Sequence, residues 1–371
     1  MKKILSLLLV LILSLGVITA CGDSETTGST GASSKNADNG NDTANSSVTS
    51  STAQPNNDNN NSNENDSDSK EKTNIKLSVL NGTTGFGMVQ LMSLNENGTA
   101  SNNYEFKVET DATNIVSALI SGSIDMAALP TNAAANVYTK SGGKVQVLAI
   151  NTLGVLYLLE KDDQITSITD LKNTNKKIYV PAQNPRFITE YILSAYGISD
   201  DKIDSTTYST PAALQQAVVA GQVELAVLPQ PVVTAAVSGA KSAGYSYNIA
   251  LDLTAEWNKI PGSEELVQGC LVVRKDFAEK NQAAVEAFLT EYEASIKFVN
   301  ENPKEAALLV EKYNIFAKAA IAEKAIPYCN ITFMKGEKMK ASMSAFIAAM
   351  YGINSASVGG KLPGNDFYYV K

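Results

Sequence analysis

"SGSIDMAALPTN" occupies residues 121–132 and "AGQVELAVLPQP" occupies residues 220–231, 99 residues apart. With Pro130 aligned to Pro229, Ala118, Gly122, Ala127, Leu129 and Pro130 match Ala217, Gly221, Ala226, Leu228 and Pro229, and Asp125 matches Glu224. Each stretch reads as the end of a helix stopped by glycine, then a near-continuous apolar strand, then a proline turn. Ile124–Leu129 and Val223–Leu228 are the predicted strands, and Asn132–Tyr138 and Pro231–Ser238 the helices that follow.

The likeness extends outward. Before the first stretch lie a β-rich run at Ile75–Leu80, turn residues, a helical pattern over Gly85–Leu94, an alternating strand at Tyr104–Thr110 and a helix at Thr113–Ser121. Before the second lie a strand at Lys177–Val180, a loop, a helix at Pro185–Tyr196, a strand at Ile203–Tyr208 and a helix opened by Thr210-Pro211. Further strands follow at Val145–Ile150 and Tyr247–Leu253. Apolar strands alternating with helices predict an α/β protein of two similar lobes, each a mostly parallel sheet covered on both faces. Ligands of open α/β sheets bind off the carboxyl ends of the strands. Two such lobes facing each other would hold a ligand between two like half-sites. The bland alternative is that Leu-Pro ends a core strand for packing alone.

Beyond the second unit come an apolar strand at Leu266–Arg274, a long amphipathic helix at Gln282–Val299 and a helix at Met339–Met350, expected to pack on the first lobe. Asn302-Pro303-Lys304-Glu305 has the spacing of a capping box. The chain then crosses between lobes twice, with Asn151–Glu160 and Leu266–Lys275 as the expected hinge crossings. Gly154 and Gly269 either absorb rotation there or mark close backbone approach. The expected division is 73–157 plus 265–371 for lobe I and 158–264 for lobe II.

The N-terminus is of another kind. Lys2 and Lys3 precede an apolar run from Ile4 to Val17, too short for a membrane span. Ile18-Thr19-Ala20-Cys21 resembles a bacterial lipoprotein cleavage box, which makes 1–21 a signal peptide and Cys21 the lipidated first residue of the exported chain. Residues 22–72 are almost all Asn, Ser, Asp, Thr and Gly, with Val48 the one branched apolar residue. Such a composition cannot offset its ordering entropy and predicts a tether. A net charge of −8 argues against a nucleic-acid partner. The sequence holds no histidine, which removes His-based acid–base catalysis, Ser-His and Cys-His pairs and His metal sites. Cys270 and Cys329 read as buried apolar fillers, a disulfide between them being the other option.

At this level the chain resembles the solute-binding lipoproteins of bacterial ABC importers, on the branch that takes nitrate, taurine, aliphatic sulfonates and thiamine pyrimidine precursors. The resemblance covers residues 74–371 and rests on "LNGTTGFGM", "LISGSIDMAALPTNAA", "INTLGVLYLLE", "VQGCLVVRKDF" and "VGGKLPGNDFYY". It implies a type II periplasmic-binding-protein-like fold, no catalysis and no cofactor. Expected partners are a small solute, a membrane permease and, through Cys21, the outer face of the cell membrane, with the protein acting as a monomer. It also implies ligand contacts at Thr83, Thr84, Gly85 and Phe86 after the first strand, at Thr131 and Asn132 after the Leu-Pro strand, and at Thr152. The matching places in lobe II are Gln183, Asn184 and Gln230, with Arg186 as a partner for an oxyanion. Phe86 either stacks on a flat ligand or closes the cleft floor. "PAQNPRF" stands where many relatives carry a glycine-rich loop, so ligand identity stays open between a sulfonate-like anion or zwitterion and a pyrimidine-type ring. A receptor feeding a signalling partner is the alternative role. The pyrimidine synthases of this fold depend on a histidine that is missing here.

Overall fold

The computed structural model describes residues 71–370. The signal peptide, Cys21 and nearly all of the expected tether lie outside the described residues. Eleven strands form two sheets. β1 (Asn74–Leu80), β2 (Asn103–Glu109), β3 (Met126–Pro130), β4 (Val145–Leu153), β10 (Val267–Arg274) and β11 (Ile331–Met334) make one; β5 (Leu156–Glu160), β6 (Ile178–Tyr179), β7 (Ile203–Asp204), β8 (Leu225–Pro229) and β9 (Asn248–Asp252) make the other. Their orders are β11-β4-β10-β3-β1-β2 and β7-β6-β8-β5-β9. The sequence repeat is therefore a repeat of topology. In each lobe three parallel strands stand in the order second, first, third: β2-β1-β3 and β7-β6-β8.

Next to each parallel trio the pattern becomes mixed. β10 lies antiparallel between β3 and β4, and β5 lies antiparallel between β8 and β9. These two strands are the expected crossings. β5 enters lobe II directly from β4 of lobe I, and β10 returns from lobe II. Each lobe thus completes its sheet with a strand handed over at the hinge, and the antiparallel direction follows from where that strand arrives.

The aligned residues perform the same task in both copies. The helices Ala112–Ser121 and Pro211–Val219 end at Gly122 (φ 76°) and Gly221 (φ 67°), a left-handed conformation that glycine adopts without a Cβ penalty. Ser123 N–H donates to Ala118 O at 3.0 Å and Gln222 N–H to Ala217 O at 2.9 Å, so the paired alanines accept the same closing bond. Along β3, Ala127 and Leu129 pack into one apolar cluster and Met126 and Ala128 into another. Along β8, Leu225 and Val227 face one side, Ala226 and Leu228 the other. Period-two burial on both faces is what a sheet sandwiched between helix layers requires.

The long helix Gln282–Glu301 covers the lobe I sheet. Val285, Phe288, Leu289, Tyr292, Ile296 and Val299 of the helix Gln282–Glu301 pack with Ile75, Leu77 and Leu271 of the sheet. The expected capping box at Asn302 does not form. Asn302 makes no cap bond to the helix Pro303–Lys312, and its Nδ2 donates back to Phe298 O at 3.1 Å. The carbonyl of the preceding helix reaches that side chain first.

The helix Gly336–Ile353 belongs to both lobes. It packs on β4 of lobe I and on the helix Asn184–Ala195 of lobe II. Trp257 is buried at this seam, 4.6 Å from the Tyr191 ring and 6.1 Å from that of Phe346 (centroid distances), and its Nε1 donates to Glu264 O at 2.7 Å. One apolar cluster runs unbroken from lobe I through this helix into lobe II. Cys270 and Cys329 are free and buried, and burial pushes both thiols up. No helix among the described residues is long and apolar enough to cross a membrane.

Candidate functional site

Residues of both lobes line a cleft of about 540 Å³. It opens where the parallel strands end. Leu80 of β1, Pro130 of β3 and Pro229 of β8 line it, as does Pro181 just beyond β6. Carboxyl-end placement on both sheets is the geometry of a ligand crevice. The repeated Leu-Pro stretches thus supply one wall each.

Five helices of at least nine residues begin on this lining, at Ala112, Thr131, Asn184, Pro211 and Val232. Three have first-turn donors engaged by nearby side chains. Asp111 Oδ1 accepts from Thr113 N–H at 2.8 Å, Thr210 Oγ1 from Ala213 N–H at 3.1 Å, and Gln230 Oε1 from Thr234 N–H at 3.3 Å. The helices Thr131–Lys140 and Asn184–Ala195 carry no side-chain cap. Their uncapped first-turn N–H groups are donors available to a solute. Six of the chain's 11 prolines line the cleft. Each fixes its own φ and keeps the wall preorganised.

The expected contact residues divide into two groups. Thr83, Thr84, Asn132, Thr152, Gln183, Asn184 and Gln230 lie on the lining. Gly85, Phe86, Thr131 and Arg186 do not. Phe86 is fully buried and meets Phe316 edge-on at 6.5 Å and 70°, so Phe316 presents the aromatic surface to the cleft. Gly85 lies against Ile315, where a Cβ would meet a side-chain methyl at 2.9 Å. Thr131 is buried with its hydroxyl donating to Val267 O at 2.8 Å. The Arg186 guanidinium turns along its own helix to Glu190, 3.5 Å away, and to Ser205 Oγ at 3.4 Å. Gln183 holds φ 65° in the "PAQNPRF" loop, a conformation in which a glycine would be relaxed.

Sequence reasoning missed Asn81, Thr110, Gln215, Gln268 and Phe316, which line the cleft too. Gln268 sits inside the quoted "VQGCLVVRKDF" segment, where its Oε1 accepts from Val155 N–H at 2.6 Å. Phe316 follows a helix that packs on lobe I and had no signal of its own.

Among the described residues, none of those lining the cleft is charged. What the lining holds instead is unmet hydrogen-bonding capacity. Among the described residues six buried side-chain polar atoms have no protein partner, and three of them belong to the cleft: Asn132 Oδ1, Asn184 Oδ1 and Gln230 Nε2. Buried polar groups are ordinarily satisfied, and each orphan costs about 1–3 kcal/mol. Gln230 is 2 % exposed, and its orientation is fixed. Its Oε1 accepts from Thr234 N–H and from Thr234 Oγ1 at 2.8 Å, which leaves Nε2 as an unpaired donor. No group of three or more His, Cys, Asp or Glu able to hold a metal occurs among the described residues.

Known proteins of similar structure have this architecture. An ABC transporter protein from Parabacteroides distasonis is 25 % identical with a TM-score of 0.69, over 81 % of this chain and 100 % of its own. The periplasmic aliphatic sulphonate binding protein SsuA from Escherichia coli is 15 % identical with a TM-score of 0.63, over 80 % and 91 %. The periplasmic nitrate-binding protein NrtA from Synechocystis PCC 6803 is 16 % identical with a TM-score of 0.55, over 78 % and 84 %. No curated protein sequence matches the chain significantly. Residues 95–321, more than half of the chain, match the family described as ABC transporter, phosphonate, periplasmic substrate-binding protein. With two lobes of one design and a crevice at their strand ends, the chain belongs to this family of extracytoplasmic solute-binding components of ABC importers.

Proposed function

We propose that the interlobe cleft is the solute site, that a small polar solute fills it, and that the loaded protein delivers this solute to its permease while held to the membrane through Cys21 as a monomer. The observation that carries this reading is the concentration of three orphaned polar atoms on one interlobe cleft. A solute that pairs them recovers free energy that folding alone leaves unspent. Five helix starts add positive potential, and the two without a side-chain cap add donors. That potential suits an oxygen-rich group such as those named for the family and its structural neighbours.

A thermal-shift screen tests the site. A ligand at about 100 times its Kd stabilises by about 2.7 kcal/mol, so even weak binders register. Replacement of Asn132 or Gln230 by alanine is expected to weaken the solute identified in this way about tenfold, with little loss of melting temperature. Unchanged calorimetric affinity in both variants would remove them from the site. For the anchor, Cys21→Ser is expected to move the protein from the membrane pellet to the soluble fraction. Retention in the pellet would refute lipidation at this cysteine.

A further inference from the structure

We infer that Gln268 is a solute-contacting residue whose amide nitrogen donates to an acceptor oxygen of the solute while its amide oxygen holds the backbone of the first interlobe crossing. The inference rests on the solute-receptor reading above and adds to it a specificity residue that lies outside the repeated stretches.

A paired irregularity in the lobe I sheet puts Gln268 in the cleft. Val267 pairs with Leu153 and Gly269 with Thr152, so Gln268 is an extra residue on β10. Cys270 then pairs with Ile150, so Asn151 is an extra residue on β4. A bulge leaves its extra residue out of the ladder and re-aims the side chain. Asn151 turns into lobe I, where its Nδ2 donates to Tyr292 Oη at 2.9 Å, whereas Gln268 lines the cleft. Gly269 lets the two bulged strands close, since a Cβ there would meet Asn151 Oδ1 at 2.5 Å.

Hydrogen bonds fix which end of Gln268 is which. Its Oε1 accepts from Val155 N–H at 2.6 Å, a bond that only the oxygen can take. Its Nε2 is left as a donor with no protein partner among the described residues. The carbonyl of Val155 accepts in turn from the Gln230 backbone N–H at 2.9 Å. Gln230 is oriented in the same sense, with Oε1 held by Thr234 and Nε2 unpaired. Two glutamines therefore engage the two polar groups of one crossing residue, each with its amide oxygen bound to protein and its amide nitrogen open. Asn330 fixes the same crossing from lobe I: its Nδ2 donates to Gly154 O at 2.6 Å, and its carbonyl accepts from Leu153 N–H at 3.0 Å. Acceptor oxygens of a solute that meet these amides are gripped at the crossing itself.

Two variants separate the ends of the side chain. Gln268→Glu keeps an oxygen for Val155 N–H and removes the donor; Gln268→Met keeps the length and loses both. The probes are methylphosphonate, ethanesulfonate, nitrate and cytosine, all with acceptor oxygens, in about 0.5 M NaCl to screen distant charge. For each probe that binds the parent, calorimetry is expected to show at least about a tenfold loss in both variants, with melting curves confirming that they fold. Hydrogen exchange at Val155 N–H is expected to stay slow in Gln268→Glu and to quicken in Gln268→Met. A smaller loss in Gln268→Glu would confine the residue to holding the crossing, and unchanged exchange in Gln268→Met would deny it that hold. Either result overturns the inference and leaves the solute-receptor reading standing. No thermal shift of the parent with any of the four probes at about 10 mM, where a binder of about 0.1 mM registers plainly, would overturn both.

Discussion

Thr234 lies behind the cleft wall, yet it decides which end of Gln230 faces an unmet need. Its backbone N–H and hydroxyl both point at Oε1, and only an oxygen can accept both. Thr234→Val removes one of these two bonds and keeps the volume. The freed amide can then rotate, and solute affinity is expected to fall about fivefold, which corresponds to about 1 kcal/mol. The apo melting temperature should barely move, and calorimetry beside a melting curve checks both halves. Gly154 illustrates another residue-scale constraint. A Cβ there would meet Thr254 Oγ1 at 2.1 Å and Leu266 Cδ2 at 2.8 Å. Close approach at the crossing, one of the two options left open by the sequence, therefore accounts for this glycine. The two Leu-Pro turns were legible because a repeat marks the same turn twice, and the polar contact residues beside them followed from the family resemblance. The inward turn of Phe86 and the outward turn of Arg186 were not, because rotamers answer to neighbours such as Phe316 and Glu190 that sequence spacing does not reveal.

At the scale of elements, the caps recur like the strands. Asp111 and Thr210 stand at equivalent helix starts in the two lobes, each taking one first-turn N–H. Thr210→Ala is expected to cost about 1 kcal/mol in urea unfolding at neutral pH. The loop before that cap adds a pH dependence. Asp204 accepts from the N–H groups of Thr207 and Thr206, chiefly Thr207, and these bonds lower its carboxyl from 3.8 to about 2. A folded pKa below the unfolded one stabilises the protein fully above the unfolded value, and the gain disappears as pH falls through the folded value. Asp204→Asn should therefore be less stable than the parent at pH 7, with the gap closing between about pH 4 and pH 2. A constant gap across that range would show that the carboxylate charge is not what holds the turn. Element types and order were readable from apolar periodicity. The antiparallel placement of β5 and β10 was not, because a strand's direction in a sheet depends on partners far away in sequence. Ile203–Tyr208 likewise alternates like a full strand, but only Ile203 and Asp204 pair, since the carboxylate folds the next residues into its turn.

For the molecule as a whole, the question is where the lobes can part. Their connections are not symmetric about the cleft. Leu156, Gln268 and Gly269 of the crossings line the cleft itself, whereas Trp257, Tyr191 and Phe346 form a dry seam that is no part of the lining. Opening on the seam side would expose an apolar cluster that burial stabilises, whereas opening on the cleft side exposes prolines, threonines and amides. Phe346→Ala is accordingly expected to destabilise the whole protein by about 3–5 kcal/mol, as removal of a buried ring does. Trp257 is the chain's one tryptophan and is 2 % exposed, so its fluorescence reports on the seam alone. Solute should leave its emission maximum in place while small-angle scattering records a smaller radius of gyration as the cleft shuts. A red shift on solute removal would mean that water reaches the indole in the empty state. The lobes would then pivot about the cleft side, and the seam could not be the hinge.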